Sequence, residues 1–354
     1  TYLIEALDLI LKEATEVDKP SIILSDDQIS LACEILKILF NLLIHPLFST
    51  NTDYNDESYY QRLLAILHDL LLCEGTSREK LKDLQTQIVN LLTSIPNEHY
   101  GELLTPILEN SLQMHKNIEF RGKNMFAIYI LITFLSNQLE NTKDIQMLHE
   151  ELSPILTVLL KAAHANALIR KYLKSIILPP LKDVMNRPET GNTLRNQLCR
   201  LLTTPVTTVR DLVAELLFVL CKENVERMIK YTGYGNAAGM FANRGLMAVQ
   251  RVTGDYAQYS SDSDSDTEEY LAAAPNINPV TGRYEPNLSN PTEHMSEEQK
   301  EYEAMELVKL IDQLSKGGMI QPCKIGPDGK PEPVEHILQL QDELPKDPSN
   351  FYKK

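Results

Sequence analysis

Tryptophan is absent from the 354-residue chain, and aromatic residues make up only 6% of it. Strands of a β-sandwich are rich in aromatic and β-branched side chains, whereas leucine and isoleucine pack well between helices. With 43% hydrophobic residues, the chain nevertheless has enough apolar side chains for a sizeable core. The composition therefore favours an all-α fold.

Paired cysteines, a basic surplus and long apolar runs are missing as well. The five cysteines include no Cys-x-x-Cys pair, so we expect free thiols in a reducing, intracellular compartment. The net charge of −15 argues against a nucleic-acid partner, because phosphate binding needs clustered basic residues. The sequence contains no run of about 18 apolar residues, so it predicts no membrane span. The first residues, TYLIEALDLI, start within a helical pattern and lack a signal peptide's basic region, so we expect a fragment of a longer protein.

Motifs for catalysis and for ligands are not found either. The eight histidines lack metal-binding spacing, and neither GxSxG nor GxxxxGK[ST] occurs. Gly233-Tyr-Gly235-Asn-Ala-Ala-Gly239 is one residue too long for a dinucleotide fingerprint and follows a helical pattern. We interpret its glycines as positions that permit positive φ, with a rigid corner as the functional alternative. The sequence thus predicts a protein that is not an enzyme, with no catalytic residue, metal site or cofactor.

Apolar residues at three- and four-residue spacing fill the chain from residue 1 to about residue 249, as in amphipathic helices. Ten helical segments, one of them over 104–113, are joined by short polar turns. This organisation predicts an armadillo/HEAT-like α-solenoid, with an irregular globular helical domain as the alternative.

Helix starts carry two kinds of signal. Ser25 with Gln28, and Thr76 with Glu79, have the spacing of a capping box, in which two side chains satisfy amides of the first turn. The second signal is a hydroxyl residue followed by proline at the first helical position. It occurs three times, at intervals of roughly 50 residues, slightly longer than an armadillo or HEAT unit: Thr105-Pro106, Ser153-Pro154 and Thr204-Pro205.

The composition changes after the solenoid. Ser, Asp, Asn, Pro and Glu dominate a segment that we expect to be flexible. A helix follows, from a capping box at Ser296 and Gln299 to Gly317-Gly318, with an apolar stripe for the solenoid or for a partner. The stripe consists of Ala304, Leu307, Val308, Ile311 and Leu314. The predicted organisation is a solenoid over 1–250, an acidic linker over 251–295, an amphipathic helix over 296–318 and an irregular tail over 319–354.

The run QYSSDSDSDTEEY at 258–270 resembles a target of an acidophilic protein kinase of the casein-kinase type. Such a kinase requires a carboxylate three residues after the hydroxyl, which Ser261, Ser263 and Ser265 have, whereas Ser260 needs a phosphate on Ser263 or relies on Asp262. Each phosphate adds roughly two negative charges and three strong acceptors. Basic residues over 222–251 offer a docking surface, and a solvated spacer is the alternative.

The segment EILKILFNLL at 34–43 places Asn41 beside an apolar stripe. In superhelical repeats, an Asn on the inner helix holds the backbone of a bound peptide or helix. The alternative is that Asn41 caps or bridges its own repeat.

Several segments together resemble one known family. In order along the chain they are EILKILFN, ILPPLKDV, LVAELLFVLCKENVERMIKYTGYGNAAG, the acidic run ending in DTEEY, NPVTGR and MSEEQKEYEAMELVKLIDQLS. They are similar to synembryn, the resistance-to-inhibitors-of-cholinesterase family. The resemblance implies a cytosolic, non-receptor guanine-nucleotide exchange factor and folding chaperone for G-protein α subunits (Gα). It implies binding to GDP-bound Gα without βγ, promotion of GDP release, retention of nucleotide-free Gα, and recruitment to the cell cortex or plasma membrane through Gα.

The resemblance also assigns roles to residues. It implies that the Gα C-terminal helix lies in a concave groove lined by Lys37 and Asn41. It implies that the helix over 296–318 contacts the Gα nucleotide-binding domain, and that the family's N-terminal repeats are missing here. The competing hypothesis is a passive α-solenoid scaffold that binds helical peptides without altering nucleotide exchange.

Phosphorylation sites follow from the same resemblance. The family's two phosphoacceptors fall on Ser260 and Ser265, although the family has Thr at position 265 and acidic residues at 261 and 263. Their phosphates are expected to dock on basic solenoid residues, namely Arg210, Lys222, Arg227 and Lys230.

Overall fold

Helices make up most of the computed structural model, which describes residues 2–15, 22–44, 55–107, 118–142, 144–247, 266–286 and 295–334. In chain order the α-helices are α1 Tyr2–Ala14, α2 Asp26–Ile44, α3 Asn55–Leu72, α4 Arg78–Thr93, α5 Phe126–Asn141, α6 Leu148–Ala165, α7 Ala167–Ile177, α8 Leu194–Leu201, α9 Thr207–Leu220, α10 Val225–Thr232, α11 Tyr234–Arg244, α12 Glu268–Ala273 and α13 Glu297–Lys316. In the described residues, 3₁₀ helices span Asn97–Leu103 and Ala274–Asn276. The all-α prediction is confirmed.

Strands in the described residues are two or three residues long. They are β1 Ile23–Leu24, β2 Glu74–Gly75, β3 Thr105–Pro106, β4 Glu119–Phe120, β5 Lys123–Asn124, β6 Ile277–Asn278, β7 Arg283–Tyr284, β8 Cys323–Ile325 and β9 Pro331–Pro333. β1 and β2 pair in parallel, whereas the β3-β5-β4 sheet and the β6-β7 and β8-β9 hairpins are antiparallel.

The chain divides into two units. Unit 1 comprises Thr1–Leu181 and Pro188–Tyr231, and unit 2 comprises Lys182–Arg187 and Thr232–Lys354. Within unit 1, α2 packs on α4, α4 on α6 and α6 on α9, whereas α1 packs on α3 and α3 on α5. These contacts define two rows of stacked helices, α2-α4-α6-α9 and α1-α3-α5, as expected when helical repeats stack on their neighbours. The solenoid-like fold predicted from the sequence is therefore confirmed.

α6 lies at the centre of unit 1, where it contacts α4, α5, α7 and α9. Its apolar residues recur at three and four positions and form one buried stripe, which includes Leu152, Ile155, Leu156 and Leu159. Burial of each such side chain contributes about 1.5–3 kcal/mol. The leucine-rich composition thus supplies the contacts between helices.

The two capping boxes predicted in the solenoid have different outcomes. The first is confirmed, because the Ser25 amide donates to Gln28 Oε1 (3.0 Å) and the Gln28 amide to Ser25 Oγ (3.3 Å). The second is wrong by one residue, since Ser77 caps α4 by accepting from the Lys80 amide at 3.4 Å. Thr76 instead donates its hydroxyl to Asp26 Oδ1 at 2.7 Å.

The three predicted proline starts are wrong. Thr105-Pro106 forms β3, which pairs with β5. Pro154 lies inside α6, which begins at Leu148 and carries Glu150 and Glu151 in its first turn, where carboxylates are favourable. Pro205 precedes α9, whose N-cap is Val206. A hydroxyl followed by proline fits a turn or strand as well as a helix start, so tertiary pairing decides between them.

Part of the predicted linker and part of the predicted irregular tail form regular structure. Residues 268–284 contain α12 and the β6-β7 hairpin, and β8-β9 follows Gly318. A carboxylate holds the first hairpin, because Glu285 accepts hydrogen bonds from Asn278, Arg283 and Thr281 at 2.7, 3.0 and 2.9 Å. These bonds lower the pKa of Glu285 to about 2. The domain boundaries remain predictions, since 248–265 and 287–294 lie outside the described residues.

The glycine-rich segment after α10 makes room for the β6-β7 turn. The amides at the start of α11, those of Tyr234 and Gly235, donate to the carbonyls of Pro279 (2.8 Å) and Val280 (2.9 Å). The turn thus supplies the N-terminal cap that no side chain provides. The interpretation of positive φ is confirmed for Gly233, with φ +74, and is wrong for Gly235 and Gly239, which lie within α11.

Membrane and metal features are absent from the described part of the chain. Among its helices, none has both the length and the apolar character needed to cross a bilayer. The same residues contain no group of three or more His, Cys, Asp or Glu arranged to hold a metal ion. The five cysteines are free thiols, buried except for Cys323.

We expect Gly233→Ala to lower the free energy of unfolding by about 1–3 kcal/mol, as strained backbone conformations cost. The positive φ is unfavourable for alanine, and a Cβ would stand 3.2 Å from the Val280 carbonyl oxygen. Urea denaturation monitored by circular dichroism measures the change. Gly239→Ala is the matched control, since a Cβ there meets nothing within 4 Å. It lies within α11, where alanine should stabilise by about 0.5–1 kcal/mol. Equal losses of unfolding free energy in both variants would contradict the role of the β6-β7 turn as the N-terminal cap of α11.

Candidate partner-binding surface

One face of α2 exposes apolar side chains. Leu31, Ile38 and Leu42 have exposed fractions of 55%, 47% and 39%. The helix buries Ile29 and Leu36 on its opposite face. At 100° per residue, the three exposed positions fall on one stripe. A contiguous exposed apolar stripe of this kind is typical of a protein-binding surface.

Lys37 and Asn41 are exposed as well and lie to one side of the stripe, about 100° and 60° around the helix from Ile38. Lys37 Nζ donates to Glu34 Oε1 at 2.7 Å, and this hydrogen bond raises the pKa of Lys37. Asn41 forms no hydrogen bond to its own repeat within the described residues, so its amide faces solvent. The surface therefore combines an apolar stripe with an amide and an ion pair, which suits an amphipathic helix.

Polar contacts join α6 to α4 and to α9, the helices on which it packs. Lys161 of α6 donates to the carbonyls of Thr93 (2.7 Å) and Ile95 (2.9 Å) at the end of α4, and burial lowers its pKa. His149 of α6 lies 2.9 Å from the hydroxyl of Thr208 on α9. Neither was singled out from the sequence, because a single lysine or histidine on an amphipathic helix looks like a solvated residue. Their role depends on hydrogen-bonding groups of a neighbouring helix, which the sequence alone does not place beside them.

A crevice opens between α4, α5 and α6. It consists of two adjoining cavities of about 460 and 500 Å³ that share Glu79, Lys82, Phe134 and Gln138. The first cavity is also lined by Asp83, Thr86, Val89, Asn90, Met147, Glu150, Glu151 and Pro154. Gln138 is only 4% exposed, and its Oε1 has no hydrogen-bond partner. Sequence reasoning missed this crevice, since its residues come from three separate helices.

The four predicted phosphate-docking residues are separated in the structure: one lies at the start of α9, and the other three lie after its last turn, two of them on α10. Arg210 lies in the first turn and has its Nε 3.1 Å from Asp211 Oδ1. Lys222 follows the last turn, about 18 Å away at 1.5 Å per residue. Arg227 and Lys230 are three residues apart on α10 and thus lie on one side of it. The structure brings Arg227 and Lys230 together at the Lys222 end and leaves Arg210 at the other.

A further lysine joins this end of unit 1. Lys174 of α7 and Lys230 both approach the ring of buried Tyr231, with Nζ 5.7 and 5.5 Å from its centroid. Both lie within cation–π distance. We call Lys174, Arg227 and Lys230 the basic cluster. The proposed phosphoacceptors Ser260 and Ser265 lie outside the described residues, as do Ser261 and Ser263.

α13 has the predicted ends and an unburied apolar stripe. Its capping box is confirmed, with Ser296 and Gln299 bonded at 3.2 Å in both directions, and Gly318 has φ +69 after the last turn. No residue of this helix is buried. In the stripe, Ala304 and Leu307 are exposed, whereas Val308, Ile311 and Leu314 are half-buried.

Comparison with known proteins gives a consistent family. A family described as guanine nucleotide exchange factor synembryn matches residues 1–330. The chain is 46% identical to Chaperone Ric-8 of Drosophila melanogaster over 91% of this chain and 60% of that protein. It is 46% identical to Chaperone Ric-8A of Gallus gallus over 87% of this chain and 55% of that protein. For Chaperone Ric-8A of Rattus norvegicus the identity is 43%, over 97% of this chain and 61% of that protein. The chain thus spans little more than half the length of these relatives.

We expect Lys161→Met to lower the free energy of unfolding by about 1–3 kcal/mol, because the carbonyls of Thr93 and Ile95 lose a charged donor. Lys12→Met is the control, since Lys12 pairs with Asp8 on an exposed helix face, where an ion pair contributes about 1 kcal/mol or less. Urea denaturation compares the two. Indistinguishable midpoints would show that Lys161 does not hold α6 to α4.

Proposed function

The chain belongs to the synembryn family of guanine nucleotide exchange factors, and from that premise we propose that it binds G-protein α subunits as a non-receptor exchange factor and folding chaperone. The observation that carries the proposal is the exposed face of α2, with Leu31, Ile38 and Leu42 beside Lys37 and Asn41. The relatives named as chaperones agree with it. A cytoplasmic location, with recruitment to membranes through Gα, belongs to the same proposal.

The partner element is the C-terminal helix of Gα. An amphipathic helix buries its apolar side against the stripe on α2, and the Asn41 amide then meets polar groups at its edge. The last four carbonyls of a helix lack intrahelical donors, and its C-terminus favours a nearby cation. Lys37 is an exposed cation on this face and can serve that end. Contacts of this kind explain how a row of helices recognises a helix end.

Nucleotide exchange then follows from a difference in affinity. A protein that binds nucleotide-free Gα better than GDP-bound Gα by about 4 kcal/mol shifts their ratio about 1000-fold. No nucleophile or general base is required. By linkage, GTP binding weakens the complex by the same factor that the complex weakens GTP binding.

Chaperone activity uses the same preference. Nucleotide-free Gα lacks the ligand that stabilises its folded state, and binding to the folded form alone supplies a replacement. Holding the Gα terminal helix on the α2 surface keeps an apolar segment from other contacts. One binding surface therefore supports both release of GDP and protection of the empty subunit.

The acidic run adjusts this activity in our proposal. Phosphates on Ser260 and Ser265 dock on the basic cluster, because phosphate oxygens make strong charge-assisted hydrogen bonds with Arg and Lys. Arg227 and Lys230 on one side of α10 support the proposal, together with Lys174 beside Tyr231. The kinase is of the acidophilic casein-kinase type.

α13 provides a second contact in the proposal, on the Gα nucleotide-binding domain. Its stripe supports a partner role, since Leu307 is 57% exposed and no residue of the helix is buried. A tethered helix reaches a partner that is already bound at high effective concentration.

We expect Lys37→Glu combined with Asn41→Ala to reduce stimulated GDP release from Gα about tenfold, because two polar contacts with the terminal helix are lost. The measurement is release of fluorescent GDP by the intact protein that contains this chain. Lys12→Glu is the matched control, since Lys12 also pairs with a carboxylate of its own helix.

Unchanged GDP release by the double variant, with an unchanged fold, would contradict this placement of the site. A wild-type protein that binds Gα tightly without accelerating GDP release would instead support the passive scaffold.

We expect Ser260→Ala with Ser265→Ala to reduce exchange by kinase-treated protein about tenfold, the effect of about 1.4 kcal/mol of lost docking. Phosphate-dependent docking cannot form in this variant, while folding by thermal denaturation stays unchanged. Ser261→Ala alone is the control for loss of a neighbouring hydroxyl, because it leaves Ser263 available to prime Ser260. Equal exchange rates for phosphorylated, unphosphorylated and substituted proteins would exclude phosphate tuning.

A further inference from the structure

We propose that the first cavity of the crevice between α4, α5 and α6 is a subsite for a cationic side chain, lysine or arginine, of the bound partner helix. Gln138 is the buried acceptor of this subsite, and carboxylates of α4 and α6 surround its entrance. The inference rests on the proposed function, because it takes the Gα terminal helix as the occupant.

The first argument is an unsatisfied acceptor. Gln138 lines the cavity and is 4% exposed, and its Oε1 accepts no hydrogen bond. Buried side-chain oxygens in folded proteins are nearly always bonded, and an unbonded one costs free energy until a donor arrives. The terminal amide torsion of glutamine is broad, so a modest rotation presents the oxygen to a ligand. A ligand with N–H groups recovers this energy.

The second argument is charge. The cavity wall carries Glu79, Asp83, Glu150 and Glu151 against a single cation, Lys82. Among the residues that the structure describes, Glu79, Asp83 and Glu150 form no ion pair, and Glu151 accepts only a long hydrogen bond, at 3.5 Å, from Thr142. A cation that enters the cavity therefore meets several carboxylates with no competing partner. Arg78 lines the adjoining cavity, whose charges are more balanced, so we assign the subsite to the first cavity alone.

The third argument is size and position. A volume of about 460 Å³ accommodates a long side chain. The carboxylates do not form a metal-binding group among the described residues, which favours an organic cation. α4 and α6 belong to the same row of stacked helices as α2. The proposed partner helix contacts α2 and continues along this row, so that one of its basic side chains enters the crevice.

A double-mutant cycle tests the subsite. Peptides of the Gα C-terminal helix, each with one Lys or Arg replaced by Met, are titrated against the intact protein and its Gln138→Met variant. We expect Gln138→Met to weaken the unmodified peptide about tenfold. One modified peptide should lose a similar factor against wild type and no further affinity against the variant. The same variant should unfold at an equal or higher urea concentration, since it removes an unsatisfied acceptor, and a purely structural role for Gln138 would lower it.

A second variant and a second ligand keep the outcomes separable. Glu150→Gln changes an exposed side chain. We expect this variant, like Gln138→Met, to bind the unmodified peptide more weakly and to lose no further affinity for the same modified peptide. N-acetyl-arginine methylamide alone should shift the Gln138 side-chain amide signal in NMR spectra, whereas the glutamate analogue should not. A response to the arginine ligand without peptide binding would overturn the proposed function and keep the subsite. Additive losses at every basic position, or no response to the arginine ligand, would overturn the subsite.

Discussion

The fold of unit 1 depends on the packing of α6 between α4 and α9. Its buried leucines and Ile155 pack against neighbouring helices, so the stacked row cannot form without it. Lys161 and His149 add directional bonds to an apolar contact that has no preferred register of its own. Because these contacts fix the spacing between helices, they also fix which side chains line the outer surface. The crevice around Gln138 exists because α4, α5 and α6 are held at this spacing.

A surface of this kind suits a function that depends on binding rather than on chemistry. The exposed stripe on α2 offers apolar area to a partner helix, and the neighbouring amide of Asn41 gives direction. A partner helix drawn onto such a surface is removed from its place in its own protein. When that helix supports a nucleotide pocket, binding of the partner helix and release of the partner's nucleotide are coupled in one equilibrium.

The sequence predicted much of what depends on neighbours along the chain. Helical periodicity, the capping boxes at Ser25 and Ser296 and the need for glycine at position 233 were all readable in this way. The proline starts were not, since Thr105-Pro106 became a strand by pairing with β5. Lys161 and Gln138 also escaped notice, because a donor that bridges helices and an acceptor left without a bond are visible only after distant segments meet. The short hairpins of unit 2 depend likewise on Glu285 and on glycines that admit a passing turn.

The most direct measurement is the rate of GDP release from two forms of Gα, one intact and one without its last helix, in the presence of the intact protein that contains this chain. We expect acceleration of GDP release from intact Gα and none from the shortened form, provided that both forms bind GDP normally. Full acceleration with the shortened form would contradict the central claim, since the partner helix would then play no part in exchange.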